Sequence, residues 1–364
     1  MMLEKMNNLW DVMMIKFSNK IVQEDLALIS NQNYINWERI ANKGVLISGS
    51  NSMLASYMVF LLAYLNETRN YQTQIIATAR NIEKARDKFS DLVGKDYFTL
   101  IPYDVEERLE YDGKVDYIIH AASNASPTAI LSNPVSIIKA NTIGTLNLLD
   151  FAKEKTIENF LFLSTREVYG TSIKEVIDEE AYGGFDILAT RACYPESKRM
   201  AETLLQSYYD QYKVPFTIAR IAHSFGPGME LGNDGRIMND LLSNVIDGKD
   251  IVLKSSGTAE RAFCYLADAV SGLFTILLNG EVGQAYNVAN EDQPIMIKDL
   301  AQKLVDLFSD KNISVVFDIP KTMSAGYSKM GRTRLTMAKL EALGWKREVS
   351  LESGILKTVQ AFEE

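Results

Sequence analysis

Short apolar runs rich in β-branched and aromatic residues alternate with helical stretches from Lys43 onward, the rhythm of βαβ units feeding a parallel sheet. The predicted strands are Gly44 to Ser48 (GVLIS), Gln74 to Thr78, Phe98 to Pro102, Tyr117 to His120, Phe160 to Ser164 and Phe216 to Arg220. Between them, Met53 to Leu65 is apolar on every side and reads as a buried helix. Pro134 to Glu154, entered through Asn133-Pro134, carries Ile137, Ile138, Ile143, Leu146 and Leu149 at helical spacing. Residues 1 to about 40 show Leu9, Trp10, Met13, Met14 and Phe17 at mixed helical spacing, then an Asn/Gln-rich patch before Trp37, and are expected to form a helical appendage. Beyond Phe225 the rhythm is irregular, with glycine-bearing loops, a short strand at Ile251 to Leu253 and helices near 265–279 and 297–308. The expected fold class is therefore α/β, a doubly wound parallel sheet with a smaller C-terminal lobe. Its divisions are an N-terminal appendage over 1–42, a dinucleotide-binding domain over 43–225, and a substrate lobe over 226–364 with some segments returning to the sheet.

Composition adds exclusions. The chain has 364 residues, 47% hydrophobic and 23% charged, which rules out disordered, collagenous and coiled-coil classes. A formal charge of −9 argues against a general binder of nucleic acid or of anionic membranes, so any anionic ligand needs local basic residues. The two cysteines, Cys193 and Cys264, form no CxxC pair and define neither a disulfide framework nor a metal site; a reducing, cytoplasmic location is expected. The longest apolar run, 13 residues, is too short to span a bilayer, and the opening residues, with Glu4 and Asp11, lack a secretory pattern.

Directly after the first strand comes Gly49-Ser50-Asn51-Ser52-Met53-Leu54-Ala55. In a dinucleotide-binding turn one glycine makes the bend, a second admits the pyrophosphate and a third lets the helix pack closely on the sheet. Here only Gly49 is glycine, with Ser52 and Ala55 in the other places, and a plain strand-to-helix turn of small residues is the competing reading. At the end of the second strand no acid lies between Glu67 and Glu83, whereas Arg80 does. An acid there would bind the ribose hydroxyl of NAD; an arginine can receive the 2′-phosphate of NADP, so of the two cofactors NADP is favoured, with a solvated Arg80 as the alternative.

The chemistry-bearing segment is Ser164-Thr165-Arg166-Glu167-Val168-Tyr169-Gly170, followed by Tyr194-Pro195-Glu196-Ser197-Lys198. Tyr194 and Lys198 lie four apart, on one face of a helix. A nearby ammonium favours phenolate and would bring the tyrosine into a range where it exchanges protons. Thr165 would hydrogen-bond the same reacting oxygen. Taken alone, such a pair also fits the surface of an amphipathic helix.

The order of these motifs, with HAAS (His120 to Ser123), NPVSIIKANTIGTLNLL (Asn133 to Leu149), YPESK and RIAHSFGPG (Arg220 to Gly228), resembles the extended short-chain dehydrogenase/reductase family over roughly residues 43–350. RACYPESKRMAETL (Arg191 to Leu205), DGR (Asp234 to Arg236) and RAFCYLADAV (Arg261 to Val270) look most like its UDP-glucuronate decarboxylases and nucleotide-sugar epimerases and dehydratases. The resemblance implies a Rossmann-type sheet and oxidation of a sugar carbon by NAD or NADP. It makes Tyr194 the general base, Lys198 its partner and ribose clamp, Thr165 the hydrogen-bonding hydroxyl and Glu167 a carboxylate beside the sugar. For the cofactor it implies Gly49, Asn51, Ser52, Met53, Leu54, Arg80, the adenine-contacting pair Asp104 and Val105, then Ala121, Ala122, Ser123, Asn141, Ile221 and the positioning residue His223. For the substrate it implies Ser126, Arg166, Arg236 and Arg261, the last two holding a nucleotide diphosphate. Arg166 departs from the pattern, standing where dehydratases carry an acid, which places epimerisation and decarboxylation ahead of 4,6-dehydration or 4-ketoreduction. A nucleotide-sugar substrate and a homodimer through the helices Asn141 to Lys153 and Tyr194 to Tyr212 are implied by the same likeness. A non-catalytic dinucleotide-binding scaffold is the alternative from another class.

Overall fold

The computed structural model describes residues 14–171, 174–232, 235–319 and 334–364. Seven parallel strands make the central sheet: β1 (Gly44–Ser48), β2 (Gln74–Ala79), β3 (Phe98–Pro102), β4 (Tyr117–His120), β5 (Asn159–Thr165), β6 (Phe216–Ile221) and β7 (Gln284–Val288). Their spatial order is β7-β6-β5-β4-β1-β2-β3. Strand order reverses between β1 and β4, which leaves a crevice at their carboxyl ends, the place where open α/β sheets bind ligands. β7 belongs to the C-terminal part of the chain and returns to the sheet edge, Gln284 pairing with Thr217 and Val288 with Ile221.

The sheet is buried on both faces, and that is why its strands read as nearly continuous apolar runs. Alternate residues serve opposite cores: Val45 and Ile47 of β1 face one, Leu46 the other. On the first face lie α1 (Lys20–Ser30), α2 (Met53–Arg69) and α8 (Leu266–Asn279); α2 ends at Asn70, in the left-handed conformation that closes helices. The short α3 (Ile82–Lys88) comes after β2, and α4 (Pro127–Ser132) precedes α5. On the second face lie α5 (Pro134–Lys155) and α6 (Cys193–Tyr212), burying Leu148, Leu149, Phe151, Ala201 and Leu205 against Phe160, Phe162 and Phe216. Proline at the first turn of α5 fits its missing N–H, and Lys153 and Lys155 in the last turn complement the helix dipole. Beyond β6, α7 (Ile237–Ile246), α9 (Ile297–Leu307) and two-stranded pairings of 251–253 with 315–317 and 260–261 with 295–296 form a smaller layer. The closing helix, α10 (Leu351–Glu363), packs against α1 and α7.

The N-terminal segment differs from its periodicity. Met14 and Phe17 are not helical; the helix begins at Lys20 because the Asn19 side chain accepts from the Val22 N–H at 3.2 Å and sets the start there. Leu9, Trp10 and Met13 lie outside the described residues. From Lys20 onward the segment shares the main core: α1 buries Ile21, Val22, Leu26 and Ile29, and Trp37 meets Phe274 with ring centroids 5.4 Å apart. Asp25 ties this segment down. Fully buried, it accepts hydrogen bonds from Tyr57 of α2 at 2.9 Å, Tyr265 at 2.6 Å and Lys357 of α10 at 2.8 Å. Burial raises its pKa and these partners lower it, so three distant segments converge on one carboxylate of α1. Among the described residues, no helix is long and apolar enough to cross a membrane.

Replacing Asp25 strands two buried hydroxyls and a lysine. Asp25→Ala is expected to lower unfolding free energy by about 3 kcal/mol in a urea titration, and a loss within 0.5 kcal/mol, roughly the noise of surface substitutions, would contradict this role.

Candidate active site

Gly49 ends β1 in the left-handed region at φ +66°, and a Cβ built on it would stand 2.6 Å from the Ala122 Cα in the segment leaving β4. Only glycine lets these two backbones approach so closely. The first turn of α2 then opens toward the crevice, with Ser52 as its N-terminal flanking residue and Met53 and Leu54 as its first helical residues. Around it lies a set of buried side-chain atoms with no protein partner: Ser50 Oγ, Asn51 Oδ1, Thr78 Oγ1, Ser123 Oγ and Asn141 Oδ1. Buried polar atoms are ordinarily paired, so these orphans mark a track left for a polar ligand. The close glycine turn, the open helix N-terminus and the orphans all fit a dinucleotide. Asn51 also donates from Nδ2 to the Asn81 carbonyl at 3.1 Å, and Asn141 donates to Ser197 Oγ at 2.9 Å. Ala121 donates its N–H to the Ser48 carbonyl at 3.2 Å. Asp104 accepts from the Glu106 N–H at 3.1 Å, and Val105 sits against Gly144 of α5. Ile221 closes β6. Arg80 is exposed at the end of β2 and makes no ion pair among the described residues.

The second half of the crevice is built by the end of β5 and the start of α6. Thr165 terminates β5, and its Oγ1 accepts from the Glu167 N–H at 3.2 Å. Tyr194, near the start of α6, is buried and lies near enough to Thr165 for that side chain to lower the pKa of its hydroxyl. Arg191, three residues earlier, donates to Glu167 Oε1 at 2.8 Å and keeps Nη1 buried without a partner. Arg166 donates from Nη1 to His223 Nε2 at 3.0 Å. An acceptor nitrogen requires a neutral imidazole, and burial, followed by Arg166 and Arg261, pushes His223 down to about 3. His223 holds a left-handed backbone at φ +45°, unusual away from glycine. Arg261 donates to the Glu260 carbonyl at 2.8 Å, and the Arg166 and Arg261 guanidinium groups lie close enough to depress the pKa of Arg166, burial being the larger cause. Ser126 caps α4, accepting from the Ala129 N–H at 3.4 Å, and Arg236 stands at the N-terminal flank of α7. Asp234 of the DGR segment lies outside the described residues. The other histidine, His120, is wholly buried between Ser48 and Thr145 and supports the β1–β4 junction.

The expected electrostatics of the Tyr194–Lys198 pair need correction. Burial raises the Tyr194 hydroxyl above its ordinary value, Glu167 adds to this, and Thr165, Arg191 and Arg236 oppose it. Lys198 is turned away: its Nζ donates to the Leu163 carbonyl at 2.8 Å and lies 4.4 Å over the Phe162 ring. Burial pushes its amine down to about 7, with Glu202 opposing. An i, i+4 spacing fixes a shared helix face but not where a four-carbon side chain ends, and the carbonyl of β5 is the nearer acceptor. Arg191 was missed by sequence reasoning. The available signal was its place one helical turn before Tyr194, on the same face.

Comparison with known proteins joins this geometry to a family. The family model described as the NAD dependent epimerase/dehydratase family matches residues 45–289. UDP-glucuronic acid decarboxylase 5 of Arabidopsis thaliana is 33% identical over 316 residues, covering 86% of this chain and 88% of that one. UDP-glucuronic acid decarboxylase 1 of Danio rerio is 33% identical over 321 residues, covering 88% and 72%. The chain belongs to the NAD dependent epimerase/dehydratase family and is an enzyme of the extended short-chain dehydrogenase/reductase type. Solved structures show the same fold: the epimerase Mth375 of Methanothermobacter thermautotrophicus has a TM-score of 0.77 at 17% identity, covering 95% of this chain and 96% of that one. The dTDP-glucose 4,6-dehydratase DesIV of Streptomyces venezuelae, solved with NAD bound, has a TM-score of 0.73 at 20% identity, covering 88% and 97%.

The depressed Lys198 amine has a measurable consequence. The unfolded chain holds this proton up to about 10.5 and the folded one only to about 7, so folding costs a proton between those values and that cost falls as pH rises. Lys198→Met should be more stable than the parent at pH 7, with the advantage shrinking as the pH approaches 10. A difference that does not change with pH in chemical denaturation would contradict the depressed amine.

Proposed function

We propose that this enzyme modifies a nucleotide sugar, oxidising the C4 hydroxyl and then epimerising or decarboxylating the ketone. The placing of buried Thr165 and Tyr194 side by side, with Arg166, Arg191, Arg236 and Arg261 nearby, is the observation that carries this reading. A bound nicotinamide supplies the hydride acceptor. Tyr194 takes the hydroxyl proton, Thr165 holds the oxygen in line, and Arg236 and Arg261 bind the diphosphate, for which guanidinium geometry is suited. Lys198 would clamp the ribose of the cofactor, an acceptor in competition with the Leu163 carbonyl that its amine contacts here. Glu167, secured by Arg191, sits beside the sugar.

Decarboxylation is supported by the identity to UDP-glucuronic acid decarboxylases. A 4-ketone places the C6 carboxylate β to a carbonyl, so carbon dioxide leaves to form an enolate, which is protonated before the hydride returns. Epimerisation is supported by Arg166: a guanidinium paired with the carboxylate stabilises it against loss. A cation in this place cannot protonate a leaving hydroxyl, which disfavours dehydration.

Finer assignments belong to the same reading. NADP is favoured over NAD by Arg80, which has no acidic neighbour in its loop. A homodimer is supported by Val135, Ile138, Ile143, Leu146 and Met200, apolar residues left exposed on α5 and α6. The free cysteines Cys193 and Cys264 suit the cytoplasm. Residues 43–225 act as the cofactor unit and 226–364 mostly as the substrate lobe.

Purified enzyme incubated with UDP-, GDP-, CDP- and dTDP-sugars should convert at least one, and mass spectrometry distinguishes an isobaric epimer from loss of carbon dioxide or water. No turnover across the panel would move the reading to a scaffold. Tyr194→Phe should lower kcat by about 100-fold or more while leaving cofactor affinity within a few-fold, because one hydroxyl is lost from the chemistry and none from the phosphate turn.

A further inference from the structure

The phosphate-binding turn lacks the second and third glycines of its type, and a buried lysine stands behind it. Lys88, the last residue of α3, is 6% exposed and donates from Nζ to the Asn51 carbonyl at 2.8 Å. The peptide joining Asn51 to Ser52 is thus held at both ends, since the Ser52 N–H donates to the Gly49 carbonyl at 3.1 Å. With that plane fixed, the first N–H groups of α2 are left facing the crevice. The side chain of Asn51 is also restrained, through the Asn81 carbonyl, while Asn81 in turn caps α3 by accepting from the Lys84 N–H at 3.0 Å. No carboxylate lies within ion-pair distance of Lys88 among the described residues.

We propose that Lys88 is a positioning residue for the cofactor diphosphate, orienting the 51–52 peptide and placing a cation behind the turn where glycines would otherwise let the phosphates approach. The assignment rests on the dinucleotide reading of this crevice. A buried ammonium with no carboxylate partner is costly in the empty protein. Burial first, and Lys84 second, push it down to about 8, while Glu230 from the loop after β6 opposes them. A diphosphate at the N-terminus of α2 supplies the missing negative charge, and the helix dipole acts in the same direction. Part of the cost of burying Lys88 is then recovered on binding. This arrangement also explains why Ser52 and Ala55 are tolerated: affinity that a glycine turn gains by closer approach comes here from a fixed peptide and a second-layer charge.

The test compares ligands that do and do not carry the diphosphate, on protein stripped of nucleotide. For Lys88→Met, binding of NADP, NAD and ADP-ribose by fluorescence or calorimetry should weaken tenfold or more, while adenosine binding changes less than twofold. Lys88→Arg should recover most of the loss, because it restores both donor and charge. If Lys88→Met does not fold, Lys88→Gln, which keeps a donor without charge, carries the same comparison. Equal weakening of ADP-ribose and adenosine, no weakening of either, or an arginine variant as weak as the methionine one would overturn the proposal. Absence of dinucleotide binding by the parent protein would instead overturn the cofactor reading beneath it.

Discussion

The contact on which the rest of the site depends is backbone against backbone: Gly49 at the end of β1 meets Ala122 beyond β4 with no space for a side chain between them. That approach is available only where strand order reverses, and it opens the crevice at the carboxyl ends of the sheet. It aims the N-terminus of α2 into the crevice from one side, and the continuation of β5 brings Thr165, Arg166 and Glu167 from the other. The supporting shell is rigid: His120 bridges Ser48 and Thr145, and the Asp25 cluster clamps α1, α2 and α10 behind the turn.

Charge is the second organising feature. The chain is acidic as a whole, yet Lys88 behind the turn and Arg166, Lys198 and Arg261 at the crevice are all depressed in pKa, each first by burial. Glu167 is paired with Arg191 and His223 is neutral, while Glu202 opposes the shift of Lys198 and Glu230 that of Lys88.

Much of this was legible in the sequence because parallel strands buried on both faces are apolar throughout. The six strands read from GVLIS to FTIAR all lie in the sheet with boundaries within one residue, and the apolar run at Met53 became α2. The seventh strand, Gln284–Val288, was less visible: QAYNV sits at an edge and mixes polar with apolar residues. In the N-terminal segment the described helix starts at Lys20, where the Asn19 cap sets it, and that start was not legible from apolar spacing. At the site, motif order located Thr165 and Tyr194, but the destinations of long side chains were not legible. Lys198 turns to a strand carbonyl, Arg191 turns to Glu167, and Lys88 reaches a turn 37 positions away in the chain. Spacing specifies which face a residue occupies; the acceptor at the end of its side chain is supplied by tertiary structure.

The central claim is that Tyr194 removes a sugar hydroxyl proton, with Thr165 holding the oxygen, as hydride passes to the cofactor. Its most direct test is stopped-flow absorbance of the reduced nicotinamide after mixing cofactor-loaded enzyme with the sugar nucleotide it converts, in parallel for the parent and Tyr194→Phe. The account predicts that reduced cofactor forms and then decays in the parent, and that its formation is slowed in the variant by the same factor as turnover. Turnover with no reduced cofactor at any time, or a variant that forms it at the parental rate, would contradict it.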